Sequence, residues 1–209
     1  MDIGKSFSYV FDDERWVQKV VIGGLLLLAS VIPLVNIFTA LVVAGYTIRV
    51  IKNVSDGLER PLPDWDDWGG DWVKGALVAV AGLIYALPAL IVAGMGAIVT
   101  AVSTGQSGDL QGFAQVCFLG LQCLVWIWSL LVGLWMPAAT IRYAREGRFG
   151  AMFEIGELWT FIRSNLGDYI VAVLVAMLAQ IVASFGVILC IIGVFLTALW
   201  GMLVQAHLY

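Results

Sequence analysis

Residues 45–72 read GYTIRVIKNVSDGLERPLPDWDDWGGDW, and the rest of the chain is interpreted relative to this stretch. The stretch begins at the basic end of an apolar run and continues as a polar connector. It ends in a segment where tryptophans alternate with aspartates. The chain on either side is mostly apolar. The stretch is therefore interpreted as a polar connection between two apolar parts of one protein.

The composition is that of a membrane protein. Hydrophobic residues make up 61% of the chain, charged residues 12%, and the mean hydropathy is +0.96. A soluble domain usually has about 25% charged residues. Apolar runs long enough for a membrane span, about 20 helical residues, recur along the chain, and they lack the alternation of barrel strands. The sequence predicts an all-α polytopic membrane protein.

The negative charge is concentrated in one connection. Between Asp56 and Lys74, six acidic residues face only two basic ones, which accounts for the whole net charge of -4. Nucleic-acid binding needs a basic face. The sequence has none, so nucleic acid is excluded as a partner.

The apolar runs predict six transmembrane helices arranged as three hairpins within a single membrane domain, residues 1–209. The hairpins cover residues 17–54, 73–141 and 169–209. Amphipathic segments precede them: an interfacial segment at 6–16, the acidic, tryptophan-rich segment at 56–72 and a connector at 142–168. Pro33 to Asn36 would form the turn of the first hairpin.

The basic residues support this count. With six spans, all eleven lysines and arginines fall on one face, and the opposite connections, 33–36, 103–112 and 184–186, contain none. The positive-inside rule makes the charged face cytoplasmic, so both termini would lie in the cytoplasm and the protein in the cytoplasmic (inner or plasma) membrane. If residues 17–48 were instead one bent span, Lys19 would lie opposite Arg49.

Several motifs resemble a known family. FSYVFDD, IGGLLLL, the IPLVN break, GYTIRV and LPDWDDW, in this order and spacing, resemble domain-of-unknown-function family 4013, an uncharacterised prokaryotic multi-pass membrane protein family. The resemblance implies a membrane protein. It implies no activity and no catalytic residues.

The PDWDDWGGDW segment allows three interpretations. On a helix started by Pro63 its tryptophans share one face, which is typical of an interfacial anchor. The predicted anchors are Trp16, Trp65, Trp68, Trp72 and Trp159. Its carboxylates could instead bind a divalent cation, although the spacing fails the EF-hand pattern; the weak candidates are Asp64, Asp66, Asp67 and Asp71. The third interpretation is a docking site for a basic partner such as Arg142, Arg145 and Arg148.

Polar residues inside the spans are few. Gln122 and Gln180 are expected either to bond between helices or to line a pathway. Cys117, Cys123 and Cys190 lie in apolar runs and are interpreted as small buried residues, and His207 as an interfacial polar group. No catalytic or cofactor-binding motif occurs, so no cofactor is expected.

These observations favour a non-enzymatic accessory, scaffold or assembly subunit. Its expected partners are the lipid bilayer and, through helix faces, a second copy or a membrane protein complex. The alternative is a channel or facilitator lined by the Pro88-containing helix, Gln122 and Gln180. A lipid-processing enzyme using the interfacial acids is a third, weaker hypothesis.

Overall fold

The computed structural model describes residues 3–103, 109–184 and 190–208, and every regular element in these ranges is helical. Of the predicted polar connections at 103–112 and 184–186, residues 104–108 and 185–186 lie outside the described residues. The helices are α1 (Ile3–Ser8), α2 (Trp16–Ala29), α3 (Pro33–Ser55), α4 (Trp68–Ser103), α5 (Asp109–Glu146), α6 (Ile155–Ser164), α7 (Leu166–Ser184) and α8 (Cys190–Leu208), with short 3-10 helices at Tyr9–Asp12 and Phe149–Phe153.

Among the residues that the structure describes, four helices are long and apolar enough to cross a membrane. They are Pro33–Ser55, Trp68–Val99, Gln115–Glu146 and Leu166–Ala183, and two shorter apolar helices lie at Trp16–Ala29 and Phe195–Leu208. The chain is thus an all-helical protein with the features of a membrane protein, as the composition predicted. The predicted apolar runs correspond to these six helices.

The turn between α2 and α3 comes slightly earlier than predicted. It occupies residues 30–32, and Pro33 is the first residue of α3 rather than part of the turn. Proline suits this position because the first helical N–H groups have no partner within the helix. Asn36 donates from Nδ2 to the Ser30 carbonyl oxygen at 2.7 Å and stabilises the turn. The sequence break was therefore correctly located, but its proline starts a helix.

Helices α4 and α5 are longer than the apolar runs suggested. They contain 36 and 38 residues, or about 54 and 57 Å at 1.5 Å per residue. The expected Pro88 lies inside α4, and Pro137 lies inside α5. The chain forms two compact units, one made of Met1–Ala79 and Pro137–Tyr209, the other of Val80–Met136, and each of these helices has residues in both units.

In the larger unit the C-terminal helix is the centre of packing. Helix α8 packs against α1, α2, α3 and α7. A Cβ at Gly23 would lie 2.4 Å from the Leu199 side chain, and one at Gly24 would lie 2.5 Å from that of Leu196. These glycines therefore let α2 approach α8 closely, as small residues do between membrane helices.

The N-terminal segment is tied to α8. The Tyr9 hydroxyl donates to the Leu203 carbonyl oxygen at 2.8 Å, and its ring stacks on His207 at 4.5 Å between centroids. Ser6 Oγ and His207 Nδ1 lie 2.9 Å apart. His207 thus joins the two ends of the chain, a role the sequence did not predict. Within the predicted interfacial segment, Tyr9 is buried in the protein and Phe11 is exposed.

Candidate functional site

Residues 56–67, here called the acidic strap, run from the end of α3 to the start of α4. Gly57 opens the strap with a φ of 74°, a left-handed conformation that suits glycine. Asn53 Nδ2 and the Tyr46 hydroxyl of α3 donate to the carbonyl oxygens of Pro61 and Pro63, each at 2.9 Å. Leu62 is buried between these contacts. The strap therefore folds back onto α3.

Trp65 fastens the strap to two helices at once. Its ring stacks on Tyr46 of α3, with centroids 3.9 Å apart and planes at 10°. Its indole N–H donates to the Lys19 carbonyl oxygen of α2 at 3.0 Å. Because Lys19 lies in the first turn of α2 and Tyr46 in the second half of α3, these two parts of the helices lie side by side.

Lys19 is a buried cation with three oxygen partners. Its side chain is 8% exposed, and Nζ lies 2.7 Å from Asp13 Oδ2, 2.8 Å from the Leu62 carbonyl oxygen and 3.2 Å from Asp64 Oδ1. Burial alone would raise the pKa of the Asp13 carboxyl, but the hydrogen bonds from Lys19 and from the Arg15 backbone N–H outweigh it and hold the pKa below its usual value.

This pair predicts an acid-sensitive stability. A carboxyl with a lowered folded-state pKa stabilises the protein above its unfolded pKa, and that stability is lost as the pH falls through the folded value. We expect Asp13→Asn to reduce the stability near neutral pH and to flatten its decline below the ordinary value of 3.8. Thermal unfolding in detergent at several pH values measures this. Parallel curves for the two proteins would contradict it.

Arg49 is the second cation beneath the strap. Its Nη1 donates to Asp66 Oδ1 at 2.8 Å, while Nη2 donates to the Asp64 carbonyl oxygen at 2.8 Å and to Asp71 Oδ2 at 2.7 Å. The Asp71 side chain is only 1% exposed. The hydrogen bond from Arg49 holds the pKa of Asp66 below its usual value. One guanidinium thus links α3, the strap and α4, a fork geometry that lysine lacks.

The strap ends in a helix cap, which corrects the predicted helix start. Helix α4 begins at Trp68, not at Pro63. Asp67 Oδ1 accepts a hydrogen bond from the Gly70 N–H at 2.9 Å, the arrangement of an N-cap carboxylate. Residues 61–64 are not helical, because side chains of α3 satisfy their carbonyl oxygens. Trp65 therefore precedes the helix and does not share a helix face with Trp68 and Trp72.

The aspartates of the cation hypothesis are paired within the chain. Asp64 pairs with Arg15 and Lys19, Asp66 with Arg49, Asp67 with Lys74, and Asp71 with Arg49 and Lys74. In the described part of the chain, no group of three or more His, Cys, Asp or Glu residues could hold a metal ion.

Two of the basic residues that the sequence suggested as partners of the strap pair elsewhere. Arg142 and Arg148 pair with Glu146 and Glu154 instead of the strap. The aspartates of the strap form ion pairs with cations of α2, α3 and α4. These cations lie beside the strap because it folds back onto α3.

The tryptophans predicted as anchors fall into two groups. Trp65 is used inside the protein, and Trp16 is half-buried with its ring edge-on to Phe11. Trp68, Trp72 and Trp159 are exposed, so interfacial anchoring stays a prediction for them.

Of the polar residues predicted within the spans, Gln180 Nε2 lies 3.5 Å from Gln205 Oε1 of the neighbouring helix. Gln122 is half-buried in α5. Neither observation tests a pathway.

Sequence reasoning identified the strap but missed the residues that hold it. Lys19 was considered only for the side of the membrane on which it lies, although it makes buried contacts with Asp13 and with the strap. Tyr46 and Arg49 were visible in GYTIRV, three residues apart and so on one helix face. That spacing was the available signal for a shared partner.

The comparisons with known proteins identify one family. A family model described as "Protein of unknown function (DUF4013)" matches residues 26–192. No curated protein and no solved structure matches the chain significantly. The resemblance inferred from the motifs is confirmed.

Proposed function

The chain belongs to the DUF4013 family of proteins of unknown function, and from that premise we propose that it is a non-enzymatic integral membrane protein that acts as an assembly or scaffold subunit. Its contact surface would be one face of α5, and its partner a second copy of the same chain. The channel or facilitator alternative stays a prediction, which solute flux into liposomes tests.

The proposed topology has six crossings as three hairpins, with both termini and the strap in the cytoplasm. The contacts of Trp65 with Lys19 and Tyr46 support a there-and-back first pair, because they join the start of α2 to the second half of α3. Arg15 and Arg49 then share the strap as their ion-pair partner. Such clustering of cations on one side fits the positive-inside rule.

One face of α5 is exposed in the part of the chain that the structure describes. None of the most apolar part of α5 is buried inside the protein, against 44% for α3. Leu119, Trp126 and Leu130 are 59%, 66% and 68% exposed, and Cys123 is exposed as well. Their spacing of four, three and four residues makes one stripe along the helix, the spacing of helix–helix contacts. The sequence had predicted Cys117 and Cys123 as buried, but both are exposed in the structure.

Trp126 is the observation that carries the proposal. It lies near the middle of the apolar part of α5, whereas tryptophans facing lipid concentrate at the interfaces. The Trp128 indole N–H donates to the Tyr85 carbonyl oxygen at 2.8 Å. The structure gives the Trp126 indole no hydrogen bond to any described residue. Since hydrocarbon offers no acceptor, a protein helix is the better neighbour.

A second copy fits this face. Two identical chains cross the membrane in the same direction, so a two-fold contact brings the same stripe of each together. Ser129 lies one turn from Trp126 and is also exposed. Its hydroxyl in one copy is an acceptor for the indole N–H of the other.

The native cysteines test the contact directly. Cys123 lies on the Trp126 stripe, whereas Cys117, nine residues before Trp126, lies about half a turn away at 3.6 residues per turn. We expect a variant retaining only Cys123 to form a disulfide-linked dimer on mild oxidation in native membranes. A matched variant retaining only Cys117 should stay monomeric. Equal cross-linking at both positions, or none at Cys123, would refute the dimer.

Trp126→Phe removes the indole N–H and keeps an aromatic ring. The two-fold contact contains this hydrogen bond twice, and an interhelical hydrogen bond is worth about 1 kcal/mol, so we expect the dimer dissociation constant in detergent to rise about thirtyfold. Trp128→Phe is the matched control, because its indole is used within the chain. The dimer affinity of that control should be unchanged.

A further inference from the structure

A basic cavity lies where the charged ends of α3 and α5 meet the first turns of α4. Its volume is about 430 Å³, and it is lined by Arg49, Lys52, Asn53, Lys74, Arg145 and Glu146, among others. We propose that this cavity binds a phosphate-bearing anion, and that in the membrane the anion is the phosphate of a lipid headgroup.

Two lysines of this cavity form ion pairs with long N···O distances. Lys52 Nζ lies 3.7 Å from Asp56, and Lys74 Nζ lies 3.5 and 3.8 Å from Asp67 and Asp71. These distances exceed the 2.7–3.2 Å of a good N–H···O hydrogen bond. The structure gives Arg145 no ion pair with the residues it describes. Lys52, Lys74 and Arg145 therefore retain donors for a ligand.

The remaining polar residues of the cavity are held in place. Arg49 is fixed by Asp66 and Asp71, and its Nε is buried without a hydrogen-bond partner among the described atoms. The Glu146 carboxylate is occupied by Arg142 and Arg148. The single acid lining the cavity is thus already neutralised, and the charge presented to a ligand is positive.

Phosphate chemistry fits this arrangement. A phosphate group offers several strong acceptor oxygens, which converging lysine and arginine donors bind as charge-assisted hydrogen bonds. A carboxylate would satisfy fewer of these donors. The volume of the cavity suits a headgroup better than a bare ion, which would leave space for water.

The position of the cavity favours a lipid source. Its residues lie at the ends of α3 and α5, both of which are apolar enough to span a membrane. Basic residues at the cytoplasmic ends of spanning helices lie level with lipid phosphates and attract anionic lipids. A headgroup can therefore enter from the bilayer without leaving it.

The experiment measures ligand protection of the full-length protein in a neutral detergent. Thermal unfolding is followed during titration with phosphatidylglycerol, with phosphatidylcholine or with inorganic phosphate. A ligand that binds the folded state raises Tm with concentration. We expect saturable protection by phosphatidylglycerol at far lower concentration than by inorganic phosphate. Equal or better protection by inorganic phosphate would overturn the lipid source and leave a soluble anion as the ligand.

Matched variants locate the binding. Lys52→Gln with Arg145→Gln removes two cavity cations, and Arg60→Gln with Arg163→Gln removes two exposed cations elsewhere on the charged face. We expect the first pair to raise the apparent Kd for phosphatidylglycerol about tenfold or more, and the second to change it less than twofold. The unliganded Tm of each variant controls for folding. Equal losses in both pairs, or no protection by any of the three ligands, would overturn the site.

Discussion

Replacing Arg49 by glutamine is expected to lower the free energy of unfolding by about 3 kcal/mol or more, because it leaves a buried carboxylate unpaired. Asp71 is 1% exposed and would keep only Lys74, 3.8 Å away. The same change removes the donors to Asp66 and to the Asp64 carbonyl oxygen. Chemical unfolding in detergent micelles measures the loss.

Two variants separate the buried pair from general charge effects. The Asp66 side chain is 72% exposed and is the outer partner of Arg49. Asp66→Asn neutralises this partner and should change stability little. Replacing both members, Arg49→Met with Asp71→Leu, should restore much of the lost stability, since an apolar pair costs no desolvation of charge. If Arg49→Gln were no more destabilising than Asp66→Asn, the central role given to Arg49 would be wrong.

Gly45→Val is expected to prevent native packing of α3 against α4, with a loss of about 3 kcal/mol or more. A Cβ at Gly45 would lie 1.7 Å from the Asp71 carbonyl oxygen, and one at Gly75 would lie 1.9 Å from that of Leu41. These clashes involve backbone atoms of both helices, so side-chain rotation cannot relieve them. The yield of monodisperse protein and its unfolding in detergent measure the effect.

Gly69→Ala is the control for this prediction. Nothing lies within 4 Å of a Cβ at Gly69, which sits in the first turn of α4. Because alanine favours helix by about 1 kcal/mol over glycine, this variant should be as stable as the natural protein or slightly more so. Equal damage from both changes would show that the close approach at Gly45 is not the cause.

The helices could be predicted because their signals are local. Apolar runs of sufficient length and the break near Pro33 predicted the first turn to within a few residues. The concentration of acids after Arg49 likewise predicted a distinct connection between α3 and α4. Composition and short-range spacing are enough for conclusions of this kind.

The contacts of the strap could not be predicted, because they join residues far apart in sequence. Trp65 was expected to face lipid headgroups, but Tyr46 and the Lys19 carbonyl oxygen bind it. The amphipathic pattern of PDWDDWGGDW suggested a helix, yet Asp67 caps one that begins later. The rule that Asp often precedes a helix could have located this start. The spacing alone could not reveal which cation each carboxylate meets.

The clasp between Tyr9 and α8 has a consequence for biosynthesis. The Tyr9 hydroxyl bonds to Leu203, and the flat faces of Gly23 and Gly24 receive Leu199 and Leu196. The segment around Tyr9 thus finds these neighbours only after Leu203, 194 residues further along the chain, has been made. Until then α2 presents a bare groove to the bilayer or to the insertion machinery. We expect the packing of α2 to be completed only after α8 has been made and inserted.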